Sequence, residues 1–309
     1  MQSSRVGIYL KAIFAVAVWG ASFIATKVAL RDVSPYTVVW LRFVMGFLIL
    51  GFFVFRRKQW VLPNGREWLY FAFLGLQGIT FHQWLQSTGL VTAQAATTAW
   101  IVATTPVFIV ILGVLFLKEK MGWLQIGGIV LAFLGVVLVV SKGSWAAMAG
   151  GKAISTGDML VLISAPNWAV FSVVSRAGLK KHPAARMMFY VMGFGLFFCS
   201  ILFFGGGHWN EIAQLTRQGW LGILFLGIFC SGLAYIFWYD ALQELPASQL
   251  GVFLYVEPVI AVFVAALILG EAVLWTSLAG GAIILFGVWL VNRGVSFRLI
   301  TKRIGREIN

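Results

Sequence analysis

The sequence predicts an all-α integral membrane protein with ten transmembrane helices, arranged as two inverted repeats of five helices. Two observations carry this prediction. The first is composition, because 61% of the 309 residues are hydrophobic and only 11% are charged, too few polar groups to cover the surface of a soluble domain. The second is an internal duplication, in which one pattern of proline, glutamate and glycine residues occurs twice at a fixed offset.

The duplicated pattern consists of two adjacent apolar runs in each half of the chain. Pro106 and Glu119 in the first copy correspond to Pro258 and Glu271 in the second copy, each 152 residues later. Two glycine pairs keep the same offset: Gly128 with Gly280, and Gly135 with Gly287. Each copy contains an apolar run interrupted by proline, a turn with a glutamate, and a glycine-rich apolar run. This order predicts a pair of transmembrane helices in each half.

Ten apolar runs along the chain approach the length of about 20 residues that a membrane span needs. The predicted spans are 7–30, 35–55, 67–88, 94–117, 121–141, 157–178, 184–205, 219–242, 246–269 and 272–292. They divide the chain into a first repeat (1–141), a linker (142–156), a second repeat (157–292) and a basic cytoplasmic tail (293–309). Because five is an odd number, the second repeat is expected to enter the membrane with the opposite polarity.

Lysine and arginine residues are concentrated on one side of the predicted spans. Fifteen lie on the side of the N-terminus and four on the opposite side. Because cytoplasmic loops retain positive charge during insertion, we expect both termini in the cytoplasm and the chain in the cell inner membrane. This distribution also accounts for the net charge of +13 without a nucleic-acid partner, since no amphipathic basic face is present.

Short motifs link this organisation to a known family. Trp19-Gly20 lies in the first span, Arg42-Phe43 lies in the second, and the proline-interrupted and glycine-rich runs occur twice. In this order the chain resembles the drug/metabolite transporter superfamily, and within it the EamA-type ten-helix exporters. The resemblance covers nearly the whole chain. It departs from the family pattern in the sixth span, where Trp168 is not followed by glycine.

The resemblance implies a secondary carrier of the bacterial inner membrane. Spans one to four and six to nine would surround a central cavity, and spans five and ten would be peripheral. Known substrates of the family include amino acids and other small metabolites. Inverted repeats of this kind place a binding site near the midplane and alternate its access between the two sides of the membrane.

Polar and aromatic side chains inside spans indicate which residues face such a cavity, because polar groups normally turn away from lipid. Together they describe an aromatic cavity with a few hydrogen-bonding groups, which suits a small organic solute. The predicted substrate-binding residues are Trp19, His82, Gln83, Gln86, Thr97, Trp100, Asn167, Trp168, Tyr235, Tyr239 and Tyr255. The predicted helix kinks are at Pro106 and Pro258, because proline frees a carbonyl in the preceding turn.

Glu257 is the carboxylate nearest the centre of a predicted span. One hypothesis is that it couples export to a proton gradient, because a buried carboxylate that alternates its access to water can gain and lose a proton. The competing hypothesis is that it pairs with His82 or Tyr235 and that the carrier is uncoupled.

The remaining charged residues in the spans are assigned structural roles. Lys27 and Arg42 are expected toward the outer side, where they would neutralise Asp32 or extend to the membrane interface. Glu119 and Glu271 each precede a helix, and each is expected to stabilise the N-terminal dipole of that helix.

Other function classes are compatible with parts of the pattern. An uncoupled facilitator, a channel-like protein or a drug efflux carrier would share the same spans. An intramembrane enzyme is disfavoured because the buried carboxylates Glu257 and Asp240 do not pair in the predicted spans. The sequence contains no GxxxxGK[ST] phosphate loop, and we expect no cofactor and no metal site. The expected partners are a small-molecule substrate and membrane lipids, and a monomer is compatible with the pattern.

Overall fold

The computed structural model describes residues 5–117, 121–144, 154–245, 250 and 253–307. Within these ranges the chain is helical and contains no strand, and we number the long helical segments α1 to α10 in chain order. Eight of the described segments are long and apolar enough to cross a membrane. They are α1 (Arg5–Ala29), α2 (Pro35–Arg56), α4 (Ala95–Val102 and Thr105–Leu117), α5 (Trp123–Ser141), α6 (Thr156–Leu179), α7 (Ala184–Gly205), α8 (Arg217–Leu224, Phe225–Leu233 and Ala234–Glu244) and α10 (Trp275–Glu307).

Two further segments occupy the positions of the predicted third and ninth spans. The third segment, α3, is continuous and comprises Gly65–Leu74, a π-helical turn at Gly75–Phe81, and His82–Thr92. The ninth segment, α9, comprises Leu254–Val256, Glu257–Val264 and Ala265–Leu269, and it is a shorter apolar helix. The structure thus confirms the all-helical membrane class, while ten membrane crossings stay a prediction.

Local sequence explains where several helices begin. Asn64 accepts hydrogen bonds from the backbone of the first turn of α3, and the Glu67 side chain accepts one from the Asn64 backbone. Ser155 and Asp158 make the same reciprocal arrangement at the start of α6. These capping boxes satisfy backbone N–H groups that a helix leaves free at its N-terminus. Pro35 opens α2, where a missing N–H group costs nothing.

Helices α4 and α9 are both irregular just before a proline. In α4 the helix is interrupted between Val102 and Thr105, and the Thr105 hydroxyl donates to the Val102 carbonyl over 2.7 Å. In α9 a 3₁₀ turn at Leu254–Val256 precedes Pro258. The threonine hydroxyl therefore satisfies a carbonyl that the proline at 106 cannot reach with a backbone N–H group.

Helices α5 and α10 are joined by backbone contact at four glycines. A methyl group at Gly128 would lie 2.5 Å from the Gly287 carbonyl oxygen, and one at Gly135 would lie 2.7 Å from the Gly280 carbonyl oxygen. The glycines that correspond in the duplicated sequence therefore face each other crosswise. Small residues of this kind allow membrane helices to approach closely where lipid provides no hydrophobic drive for association.

The other helices pack around the middle of the molecule. Helix α1 packs on α8 and α9, α6 packs on α3 and α4, and α2 packs on both α7 and α8. The largest buried cluster draws its side chains mainly from α2, α3, α7 and α8, and Trp19 and Trp168 pack against its edge. The polar groups that are buried in this region are therefore the candidates for a functional site.

Two helices extend across the predicted domain boundaries. Helix α10 continues to Glu307, so the segment 293–309, predicted as a tail after the last span, is helical over its described part. Helix α6 begins at Thr156, inside the predicted linker 142–156. Residues 145–153 of that linker lie outside the described part of the chain.

Candidate functional site

An aromatic cluster joins α1 to α8 near the centre of the molecule. The Trp19 ring centroid lies 5.8 Å from that of Tyr235 and 5.3 Å from that of Trp238. Tyr239 continues the cluster, with its ring 6.2 Å from Tyr235. The Trp19 indole donates a 3.2 Å hydrogen bond to the Cys230 carbonyl, which fixes the orientation of the ring. Three predicted binding residues, Trp19, Tyr235 and Tyr239, are thus brought together.

A second aromatic cluster joins α3 to α6. The His82 imidazole lies 4.7 Å from the Trp168 ring, and Trp168 stacks on Phe171 at the same centroid distance. A side chain at Gly78 would overlap the Phe171 ring, so the small residue is needed for this contact. The His82 Nδ1 atom is buried and has no hydrogen-bond partner in the described part of the chain. Two predicted binding residues, His82 and Trp168, therefore also lie together.

Asn167 is engaged with a residue that sequence reasoning did not select. Its amide nitrogen donates to the Gln77 carbonyl over 3.1 Å, and the Gln77 side chain donates to Asn167 Oδ1 over 2.9 Å. The signal for Gln77 was present, since it is a polar residue within a predicted span. These bonds link α3 to α6 and use the groups of Asn167 that a solute would otherwise contact.

Arg42 is buried at the junction of α2, α3 and α8, with 5% of its surface exposed. Its Nε atom donates to Ser231 Oγ over 3.0 Å, and Nη1 donates to Gln83 Oε1 over 3.1 Å. The expectation that Arg42 neutralises Asp32 is wrong, because Asp32 accepts hydrogen bonds from the backbone and hydroxyl of Thr216. Position along a single span does not identify the neighbours of a side chain, which is why the sequence misassigned this arginine.

Glu271 stabilises a different helix from the one expected. Its carboxylate accepts hydrogen bonds from the backbone N–H groups of Ala95 and Ala96 at 2.9 and 3.2 Å, at the start of α4 rather than α10. Lys27 also differs from expectation, since its Nζ atom lies 3.8 Å from Glu271. The corresponding expectation for Glu119 falls outside the described residues.

Glu257 lies half-buried at the start of the regular part of α9. Its side chain makes no hydrogen bond or ion pair to His82, to Tyr235 or to any other described residue, so the proposed structural pairing is not formed. The Glu257 carbonyl lies against α1, and a side chain at Gly20 would come within 2.6 Å of it. The glycine that follows Trp19 thus permits α1 and α9 to meet beside this carboxylate.

Three predicted binding residues lie toward α10 instead of the aromatic clusters. The Trp100 indole donates to Ser277 over 3.2 Å, and the Tyr255 hydroxyl accepts a hydrogen bond from Asn292. Thr97 borders a small cleft. Other residues that line this cleft are Gln94, Val139, Lys142, Val262, Glu271 and Ser277. The structure therefore separates Thr97, Trp100 and Tyr255 from Trp19 and His82.

The described residues contain no group of three or more His, Cys, Asp or Glu side chains that could hold a metal ion. Cys199 and Cys230 are both free and buried. Gln86 is half-buried, one turn along α3 from His82. The described polar groups around the two aromatic clusters include the Arg42 guanidinium, the Glu257 carboxylate, the His82 imidazole and neutral amides and hydroxyls. Such a set suits binding of a small polar solute.

The sequence is similar to those of proteins that are named as transporters. The chain is 29% identical over 275 residues to an uncharacterized transporter of Archaeoglobus fulgidus, across 89% of this chain and 93% of that protein. It is 30% identical over 232 residues to a probable terminal-alkyne amino-acid exporter of Streptantibioticus cattleyicolor, across 75% of each chain.

Structural comparison supports the same fold. A solved crystal structure superposes with a TM-score of 0.61 at 19% sequence identity, across 93% of this chain and 98% of the other. Residues 6–141 and 155–293 each match the EamA-like transporter family, and relatives and family alike are transporters. The chain is therefore a multi-pass membrane protein that belongs to the EamA-like transporter family, within the drug/metabolite transporter superfamily.

Proposed function

We propose that this protein is a secondary transporter that exports amino acids or related small metabolites across the inner membrane by alternating access. The observation that carries the proposal is a polar centre formed by Arg42, Gln83 and Ser231, together with the Glu257 carboxylate on α9, which has no partner among the described residues and whose backbone lies against Gly20, beside Trp19. A carrier needs such a site where its halves meet, because a rocking motion of the halves can then expose the site to either side in turn.

The helix contacts are consistent with two inverted repeats. Helix α1 packs on α8 and α9, and its counterpart α6 packs on α3 and α4, while α5 packs on its own counterpart α10. Exchange of the two halves of the chain therefore maps one set of contacts onto the other. In this arrangement both termini face the cytoplasm, as the distribution of basic residues predicts.

The substrate class rests on the site and on one relative. Aromatic faces at Trp19, Trp168 and Tyr235 accommodate the apolar part of a solute, while the polar centre accommodates charged groups. The relative named as a probable amino-acid exporter shares 30% identity. Amino acids combine a small apolar part with charged groups, so they match both the chemistry of the site and the substrate class in the name of this relative.

Counterflow in proteoliposomes tests the proposal. Purified protein is reconstituted into liposomes loaded with one unlabelled amino acid, and entry of the labelled form is followed for a panel of amino acids and related metabolites. We expect saturable, trans-stimulated entry of at least one solute. Entry that increases linearly with concentration would indicate a channel-like protein, and absence of entry for the whole panel would contradict the proposal.

The proposal assigns Glu257 the role of proton-coupling residue. Its carboxylate is half-buried without a partner among the described residues, which leaves it available to exchange a proton. The Glu257→Gln variant should still equilibrate solute in counterflow but lose accumulation driven by a pH gradient. The Glu244→Gln variant, which changes an exposed carboxylate at the end of α8, serves as the control. Undiminished pH-driven accumulation in Glu257→Gln would rule out coupling through this residue.

A further inference from the structure

Arg42 is a buried cation with neutral partners. Its two hydrogen-bond acceptors are the Ser231 hydroxyl and the Gln83 side-chain carbonyl, and no described Asp or Glu side chain lies within salt-bridge distance of it. Removal of a charge from water into a protein interior is costly unless an opposite charge compensates it. The fold therefore holds a charge that its own described carboxylates do not neutralise.

Other basic residues of the helical bundle are treated differently. Lys11 and Arg57 both contact Asp240, at 2.9 and 2.6 Å, and Lys27 lies 3.8 Å from Glu271. Each of these cations is near a helix end and more exposed than Arg42. Among these four described cations, the most deeply buried one, Arg42, is the one with no carboxylate within salt-bridge distance.

The two hydrogen bonds of Arg42 fix its guanidinium plane without using all of its donors. A guanidinium has five N–H donors, and the two bonds account for one donor on Nε and one on Nη1. Its planar fork matches the two oxygens of a carboxylate. Because Gln83 on α3 and Ser231 on α8 hold the group from two sides, little rotamer entropy remains to be lost when an anion binds.

The surroundings of Arg42 connect it to the aromatic cluster. Arg42 bonds to Ser231. The residue before Ser231, Cys230, accepts the hydrogen bond of the Trp19 indole at its carbonyl, and Trp19 contacts Tyr235. The backbone of Glu257 lies against Gly20, the residue that follows Trp19, and its side chain forms no ion pair with Arg42 or with any other described cation. A cation and a carboxylate are therefore both available near one aromatic wall, and neither neutralises the other.

We propose that Arg42 binds the carboxylate of the transported solute and so selects solutes that carry one. This inference rests on the proposed transport function and assigns the anionic group of the solute to a specific residue. The test compares two probes, the amino acid that the wild type exchanges best and its primary amide, which has nearly the same shape but no negative charge. Counterflow of both probes is measured in the same proteoliposomes, so their ratio does not depend on the amount of folded protein.

The wild type should prefer the amino acid over its amide, and Arg42→Gln should reduce this preference about ten-fold or more, as expected for a lost charged hydrogen bond. Arg42→Lys keeps the charge without the fork, so it should raise the KM for the amino acid and leave the KM for the amide unchanged. Arg57→Gln, which changes the arginine that follows α2, should leave the preference at the wild-type value.

An unchanged preference in Arg42→Gln would overturn the inference, and so would a wild type that exchanges acid and amide equally well. If Arg42→Gln is not recovered as folded protein, an unchanged KM for the amino acid in Arg42→Lys overturns it instead. Failure of the wild type to exchange any solute would be a different result, because it contradicts the proposed function itself.

Discussion

Arg42, within α2, and Arg57, directly after α2, differ in how their positive charge is compensated. Arg57 makes two hydrogen bonds to Asp240, at 2.6 and 3.0 Å, and Lys11 contacts the same carboxylate. Arg42 is more deeply buried, and among the described residues it bonds to the neutral groups of Gln83 and Ser231 and lies over the Phe43 ring, with no carboxylate within salt-bridge distance. The charge of a purely structural arginine is normally compensated by a carboxylate of the same protein. We therefore interpret Arg57 as structural and Arg42 as the arginine that is available to a solute.

The largest expected effect lies at the α5–α10 contact, which contains neither arginine and serves as the reference for a variant that damages only the fold. Gly135→Val places a side chain against the Gly280 carbonyl, with 2.7 Å available to its first carbon atom, and should cost at least about 3 kcal/mol of stability. The measurement is the yield and thermal stability of monodisperse protein in detergent. Gly127→Val is the control, because nothing lies within 4 Å of that position. Equal yield and stability of the two variants would contradict the packing.

The next largest effect tests the structural arginine. Asp240→Asn leaves Lys11 and Arg57 without their shared counter-ion, and we expect a loss of about 2 kcal/mol because two charge-assisted hydrogen-bonded contacts are weakened. Thermal unfolding in detergent measures the loss, and the ratio of amino acid to amide counterflow should stay at the wild-type value. A changed ratio at unchanged stability would place Asp240 in the solute site and remove the distinction between the arginines.

Two tryptophans provide a second comparison between a residue of the proposed solute site and a structural residue. Trp19→Ala removes the aromatic wall beside Tyr235, and we expect counterflow to fall about ten-fold or more at equal membrane abundance, since a lost binding contact of 1.4 kcal/mol has that effect. Trp100 packs against Gly281 and Ser277 of α10, so Trp100→Ala should lower stability while flux per folded molecule is retained. Lower flux in Trp100→Ala and lower stability alone in Trp19→Ala would indicate instead that the solute path lies toward α10.

The smallest effect concerns a hydrogen-bonded carboxylate between α7 and α8. Partial burial acts to raise the pKa of Glu211, but hydrogen bonds from Thr37, His208 and Ser34 outweigh it and lower the pKa from its ordinary 4.5 to about 2. The carboxylate therefore stabilises the fold fully above pH 4.5, and this contribution is lost as the pH falls toward 2.

Comparison of Glu211→Gln with the wild type checks this pH dependence. We expect a stability difference on the order of 1 kcal/mol that is constant between pH 5 and 8 and shrinks as the pH falls below 4.5. Thermal unfolding in detergent at a series of pH values measures it. A difference that grows under acidic conditions would contradict the hydrogen-bonding pattern.

The class of fold could be predicted because the bilayer leaves few choices. Long apolar runs in lipid must be helical, and the duplicated prolines and glycines identified related helix pairs before any contact was known. The approximate boundaries of the helices followed from hydrophobic length. The continuation of α10 to Glu307 did not, since a basic segment outside the membrane has no hydrophobic requirement that indicates helix.

The candidate site could be predicted only in part, because a pattern within one span does not specify which other helix faces it. Polarity identified Trp19, His82 and Tyr235 as inward-facing. It could not pair Arg42 with Ser231, which lies 189 residues away in sequence. It likewise could not pair Glu271 with the start of α4, 176 residues away. Trp100 shows the same limit. Its position within one span indicated an inward-facing ring but could not show that its partner is Ser277 of α10.

The most direct test of a solute site at this centre uses the thiol of Cys230. This cysteine is buried, it precedes the Ser231 that accepts from Arg42, and its carbonyl accepts from the Trp19 indole. Because the chain has two cysteines, Cys199→Ser leaves Cys230 as a single reporter, and Cys230→Ser leaves Cys199 on α7 as the control. The measurement is the rate of alkylation by N-ethylmaleimide in proteoliposomes, with and without a saturating concentration of the exchanged amino acid. The account predicts that the amino acid slows alkylation of Cys230 several-fold and leaves Cys199 unaffected, whereas an unchanged rate at Cys230 would contradict it.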